Sequence, residues 1–122
     1  MKQNVRTIVI NRPVGEVFEF TINPDNTDKW FIGTGVETTS EWPPKINTIY
    51  KNQWGVLRVT AFKENQVFQL SKETADYHVR YEYADVGGGG QKTELAYTEW
   101  GDDLTEPTTM EPFEKLKELL EK

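Results

Sequence analysis

Cysteine is absent from the 122-residue chain and histidine occurs once. Without cysteine there are no disulfides and no thiolate metal sites. A single histidine excludes a multi-histidine metal centre, so neither a metal nor a cofactor is expected. No apolar run approaches the ~20 residues that span a bilayer. The opening Met1-Lys2-Gln3-Asn4 lacks the apolar core of a signal peptide, which points to a cytoplasmic location. Basic residues are in the minority: 14 Lys and Arg stand against 20 Asp and Glu, a formal net charge of −6. That balance disfavours nucleic acid and anionic membranes as partners. Hydrophobic residues make up only 36% of the chain, but aromatics make up 12%. Trp, Tyr and Phe side chains must therefore carry much of the burial. The length predicts one domain over residues 1–122.

The clearest periodic segment is the last one. Phe113, Leu116 and Leu120 recur at helical spacing, and Leu119 widens their face. Glu111 and Lys115 form an i,i+4 pair on the wet side. Pro112 limits an uninterrupted helix to about 110–121, roughly 18 Å. A helix that short is not stable alone in water and needs an apolar surface beneath it.

The remainder supplies one. Val5–Ile10 reads as a strand. Pro13 then opens a short helix, roughly 13–21, on Val14, Val17 and Phe18. Asn23-Pro24-Asp25 combines an N-cap, an N1 proline and an acid in the first turn, predicting a second helix over about 24–30. Strands are predicted near 36–40, 46–53, 56–62, 67–71, 77–83 and 93–100, joined by short polar or glycine-containing turns. Tyr77, Val79, Tyr81 and Tyr83 alternate with His78, Arg80 and Glu82, so one face of that strand is inside and the other in water. Both faces of 56–62 are apolar, and its inward side is not decided by pattern. The order β-α-α-β-β-β-β-β-β-α describes an α+β fold: an antiparallel meander of six to seven strands with a C-terminal helix as cover.

Several strings in this order resemble the START-like (SRPBCC) superfamily, which includes polyketide cyclase/dehydrase-like and birch-pollen-allergen-like helix-grip proteins. Ile10-Asn11-Arg12-Pro13-Val14-Gly15-Glu16-Val17-Phe18-Glu19-Phe20 is similar to its strand-to-helix opening. Asn23-Pro24-Asp25-Asn26, closed by Trp30, is similar to its second helix. Tyr50, the stretch Val59-Thr60-Ala61-Phe62-Lys63-Glu64-Asn65-Gln66-Val67-Phe68, and Leu116-Lys117-Glu118-Leu119-Leu120-Glu121 match further pieces. Two departures stand out. Asn47 occupies a position where the family commonly has glycine, and the last helix is shorter than usual. The resemblance implies a curved sheet wrapped on the last helix, with a cavity between them for a lipid, polyketide or similar small apolar molecule. It leaves open a cyclase- or dehydratase-like enzyme, a chaperone-activator-like interaction module and a homodimer. The short helix implies a cavity that is small, open at one end, or closed by the loop over 33–44.

The candidate ligand-binding set is Phe68, Leu70, Val79, Tyr81, Tyr83, Leu95, Tyr97, Phe113, Leu116 and Leu120. Tyrosine joins an apolar ring to a polar tip, which suits a partly oxygenated ligand; ordinary core packing is the competing role. Tyr81, Tyr83 and Glu99 are the candidates for acid-base work. Glu99 shares the nominal face of Tyr97, where an inward carboxylate would be desolvated, although strand ends usually keep carboxylates wet. His78 is expected to face solvent beside an Arg80–Glu82 surface pair. The Gly87–Gly90 run lacks the Lys-Ser/Thr ending of a phosphate loop and reads as a turn. Trp42, beside two prolines, reads as a lid residue or a partner contact. Trp30, Trp54 and Trp100 read as packing anchors at element ends.

Overall fold

The computed structural model describes residues 2–122. The chain runs β1 (Gln3–Ile10), α1 (Val14–Ile22), α2 (Pro24–Trp30), β2 (Thr38–Thr39), β3 (Ile49–Asn52), β4 (Gly55–Lys63), β5 (Val67–Lys72), β6 (His78–Asp85), β7 (Thr93–Trp100) and α3 (Glu111–Glu121). All seven strands join one antiparallel sheet in the order β1-β7-β6-β5-β4-β3-β2. The sheet is open. It curls around α3, which lies along β1 at one end and meets α2 at the other. This is the α+β architecture expected from the pattern, in the helix-grip form that the resemblance implies.

Local chemistry explains the boundaries. The Asn23 side chain accepts from the Asp25 N–H at 2.9 Å, and Pro24 fills the first helical position of α2, where a missing N–H costs nothing. Asn23 thereby ends α1 and starts α2. The strand predicted over 46–53 begins only at Ile49, because Asn47 adopts φ 77°. Asparagine tolerates that left-handed region better than most residues, which accounts for its standing in a position where glycine is common in the resembling family. Its N–H donates to Val59 O at 2.9 Å. The strand predicted over 36–40 shrinks to Thr38–Thr39. Instead, the Asp28 carboxylate accepts from the N–H groups of Gly33 and Gly35, which fixes the preceding segment as a loop.

In β4 a bulge lies between Val59 and Ala61. Thr60 is the extra residue and is exposed, so Leu57 and Val59 face inward before the bulge and Phe62 packs on the core after it. An uninterrupted period of two would have turned Phe62 outward. The core is rich in rings: Trp30, Tyr50, Tyr97 and Phe113 are essentially inaccessible, alongside Ile10, Leu95 and Leu116. Phe113, Leu116 and Leu120 are the buried face of α3. On its wet side, Lys115 pairs with Glu118 at 3.7 Å rather than with Glu111.

Candidate functional site

α3 starts at Glu111, and the inner sheet surface beyond its N-terminus has no helix above it. A cleft of about 470 Å³ opens there. Its floor is the sheet: Leu57 from β4, Leu70 from β5, Val79 and Tyr81 from β6, and Tyr97 from β7. Phe31 and Glu37, just after α2, form one wall with Trp54 of the β3–β4 turn. The loop over 103–108 forms the other. The rings follow one another in edge-to-face and tilted contacts. Trp54 meets Phe31 at 5.4 Å between centroids, Phe31 meets Tyr97 at 6.3 Å, and Tyr97 meets Tyr81 at 5.2 Å. Trp54, expected to be a packing anchor, is 48% exposed, because it caps Phe31 at the cleft mouth. Trp30 and Trp100 do pack: Trp30 is enclosed against Tyr81 and Phe113, and Trp100 stacks on His78.

The polar groups differ in how completely they are occupied. Glu37 accepts from Thr27 Oγ1 at 2.6 Å and from Asn52 Nδ2 at 2.8 Å. Burial pushes its carboxyl above the ordinary 4.5, against the lowering effect of those two hydrogen bonds. Tyr81 is 8% exposed, and no hydrogen bond to its hydroxyl is formed among the described residues. Burial, then the neighbouring Tyr97, drives its hydroxyl well above the usual tyrosine range, so it is a neutral donor.

Glu99 sits behind this floor and is wholly inaccessible. One carboxylate oxygen accepts from Asn4 Nδ2 at 2.9 Å and from the Thr108 N–H at 2.5 Å. The other accepts from Tyr77 OH at 2.5 Å, Thr108 Oγ1 at 3.0 Å and Tyr97 OH at 3.3 Å. No Lys or Arg nitrogen pairs with it among the described residues. A buried charge of this kind persists only where its lone pairs are filled by donors. Glu99 thereby ties β1 and β7 to the cleft-forming 103–108 loop, and a molecule in the cleft meets Tyr77, Tyr97 and Thr108 first. The sequence signal for this role was available: Glu99 is in phase with Leu95 and Tyr97, and period two outweighed the wetness of strand ends.

Of the candidate ligand-binding residues, Leu70, Val79, Tyr81 and Tyr97 line the cleft. Phe68, Leu95, Phe113, Leu116 and Leu120 belong to the packed core, as does Tyr83, whose hydroxyl is 2.6 Å from Thr21 Oγ1. Glu37, Phe31 and the 103–108 loop also line the cleft; none carries a periodic signature in the sequence, since each lies on a loop.

Two further features lie away from this cleft. Trp42, 49% exposed, borders a second depression of about 520 Å³ with Pro43, Pro44, Phe18 and Phe62. On the outer sheet face, His78 Nδ1 lies 2.7 Å from Ser71 Oγ and its Nε2 lies 2.9 Å from Asp76 Oδ1. Asp76 also accepts from the Asp102 N–H, its strongest stabilising contact, and its carboxyl is held below the ordinary range. His78 is thus half-buried rather than freely solvated and ties β5 to the turn before β6, while Asp76 joins that turn to the loop after β7. Arg80 and Glu82 form the expected surface pair at 3.6 Å.

No protein-family model matches the chain, and no curated protein matches it in sequence. Solved structures do match in fold. A conserved protein of unknown function from Enterococcus faecalis aligns with TM-score 0.74 at 12% identity, over 97% of this chain and 70% of its own. An HSP90 activator from Plasmodium falciparum aligns with TM-score 0.74 at 13% identity, over 99% of this chain and 97% of its own. A protein of the dynemicin biosynthetic locus aligns with TM-score 0.71 at 16% identity, over 99% of this chain but 48% of its own. At such identities the likeness shows the fold alone. Bearers of the same fold thus include a protein of a biosynthetic locus and an HSP90 activator. Among the described residues no helix is long and apolar enough to cross a membrane.

Proposed function

We propose that this chain is a START-like binding protein that holds a small, mainly apolar molecule in the cleft between its sheet and the N-terminal end of α3. The observation that carries the reading is the unpartnered Tyr81 hydroxyl at the base of a ring-lined cleft of about 470 Å³. Small-molecule sites commonly fall in the range of about 300–1,000 Å³, largely apolar with a few convergent polar groups. The Tyr81 hydroxyl is not sealed off from the cleft, so a ligand oxygen or nitrogen can reach it there.

The test is calorimetric titration with a naphthyl alcohol of the wild type and of Trp54→Phe, Tyr81→Phe and Leu70→Trp variants. Leu70→Trp fills the cleft and should abolish binding; Tyr81→Phe should weaken it severalfold. Binding that survives Leu70→Trp unchanged contradicts the reading.

Acid-base chemistry through Glu99, as a cyclase- or dehydratase-like enzyme would need, is disfavoured by its enclosure. Tyr81 is the candidate acid that remains in the cleft, whose carboxylates are Glu37, Asp103 and Glu106. A second reading, an interaction module, is favoured by one observation: half-exposed Trp42 at the rim of the depression against Phe18 and Phe62. Trp42→Ala would abolish capture of a protein partner while leaving the naphthyl titration unchanged.

A further inference from the structure

Glu37 is a half-buried carboxylate on the cleft wall with neutral partners only. Each of its oxygens accepts one hydrogen bond, so each retains an unused lone pair. No Lys or Arg nitrogen pairs with it among the described residues. A desolvated carboxylate favours a cation beside it, and burial raises this one's proton affinity. Two more carboxylates, Asp103 and Glu106, stand on the opposite wall, against the single ammonium of Lys72. The Lys72 side chain lies over Gly55, where an added Cβ would come within 2.9 Å of its Cε. The whole chain carries a net charge of −6, and a cleft of that sign concentrates cations. Trp54, 48% exposed, and Phe31 line the cleft with ring surface, and aromatic rings attract ammonium groups.

We infer that the cleft selects a basic amine carried on an apolar, ring-sized body, with the ammonium on Glu37, the body against Phe31 and Trp54, and a polar substituent at the Tyr81 hydroxyl. This rests on the proposed binding function and narrows it: fatty acids and other anionic amphiphiles are excluded, and a neutral ligand of the same shape is a weaker one. Tyr81 adds the second fixed point. It is more than nine-tenths buried, lines the cleft, and lacks a protein partner, so the ligand is held at two polar positions with rings between them.

The experiment is calorimetric titration of the full chain at pH 7 and low salt with three ligands of one shape: 2-(2-naphthyl)ethylamine, 2-(2-naphthyl)ethanol and 2-naphthylacetate. The amine is expected to bind about tenfold tighter than the alcohol, as one partly desolvated ion pair would give, and the carboxylate most weakly. Glu37→Gln should bring the amine to the level that the alcohol has on the wild type. The inference is overturned, with the cleft reading intact, if the alcohol binds as well as the amine. It is likewise overturned if the carboxylate binds tightest, which would make Lys72 the recognition group, or if Glu37→Gln keeps the amine's advantage. Failure of all three ligands to bind the wild type overturns both. If Glu37→Gln does not fold, the wild-type ranking decides.

Discussion

Two glutamates separated by a few side chains play opposite parts. Glu99 is enclosed, and its acceptor capacity is filled by Asn4, Tyr77, Tyr97 and Thr108. Glutamine in its place keeps one carbonyl acceptor but turns an NH₂ toward at least two donors. Leaving a buried donor unmatched costs about 1–3 kcal/mol, so Glu99→Gln is expected to lower the melting temperature by several degrees, measured by calorimetry. No change would mean the carboxylate is not the tie between β7 and the 103–108 loop. Glu37, by contrast, is held by two neutral donors and strained by desolvation. Its folded carboxyl titrates above the unfolded value of 4.5. Between those two values the folded state holds more protons than the unfolded chain. Glu37 therefore disfavours folding above the window, and this cost fades as pH falls through it. The stability gained by Glu37→Gln should be larger at pH 7 than at pH 4 in urea unfolding; a gain independent of pH would contradict the assignment.

At the scale of elements, the determining feature is where α3 begins. Phe113, Leu116 and Leu120 anchor it, and Leu116 is fully enclosed. Leu116→Ala should cost about 2–5 kcal/mol, read as a shift of the urea midpoint. Lengthening the helix toward its N-terminus, by replacing Pro107 and Thr108–Thr109 with helix formers, would remove the loop that walls the cleft and the Thr108 contacts that fill Glu99. The β3–β4 region shows a second element-level device. Asn47 in the left-handed region precedes β3, and its N–H meets Val59 beside the β4 bulge. Asn47→Gly should fold as well as the wild type, whereas Asn47→Val should lose roughly 1–2 kcal/mol; equal stability of the two would show that this backbone geometry is not required.

At the scale of the molecule, the sheet and its cover were legible in the sequence because they follow from periodicity and breakers. Alternation in 77–83 and 93–100 identified the inner face, and Asn23-Pro24 located the break between α1 and α2. The helical spacing of Phe113, Leu116 and Leu120 identified the closing helix. Legibility ended where the chain leaves those periods. The β4 bulge shifts the phase of Phe62, and no pattern rule locates a single extra residue. Six of the ten candidate ligand-binding residues lie in the packed core and off the cleft, because period two tells inside from outside but not cleft from core. The cleft's own polar groups, Glu37 and Thr108, arrive on loops fixed by Asp28, Asn52 and Glu99 through side-chain contacts that follow no period. The aromatic richness of an otherwise polar chain serves both purposes, with rings filling the core under α3 and continuing out to Trp54 at the mouth.

The most direct measurement is an NMR titration of the labelled protein with 2-(2-naphthyl)ethanol, following side-chain and backbone shifts to saturation. The account predicts saturating shifts at Phe31, Trp54, Val79, Tyr81 and the 103–108 loop, with Phe18, Trp42 and Phe62 unmoved. Shifts confined to Trp42 and its neighbours, or no saturable shifts at all, would contradict it.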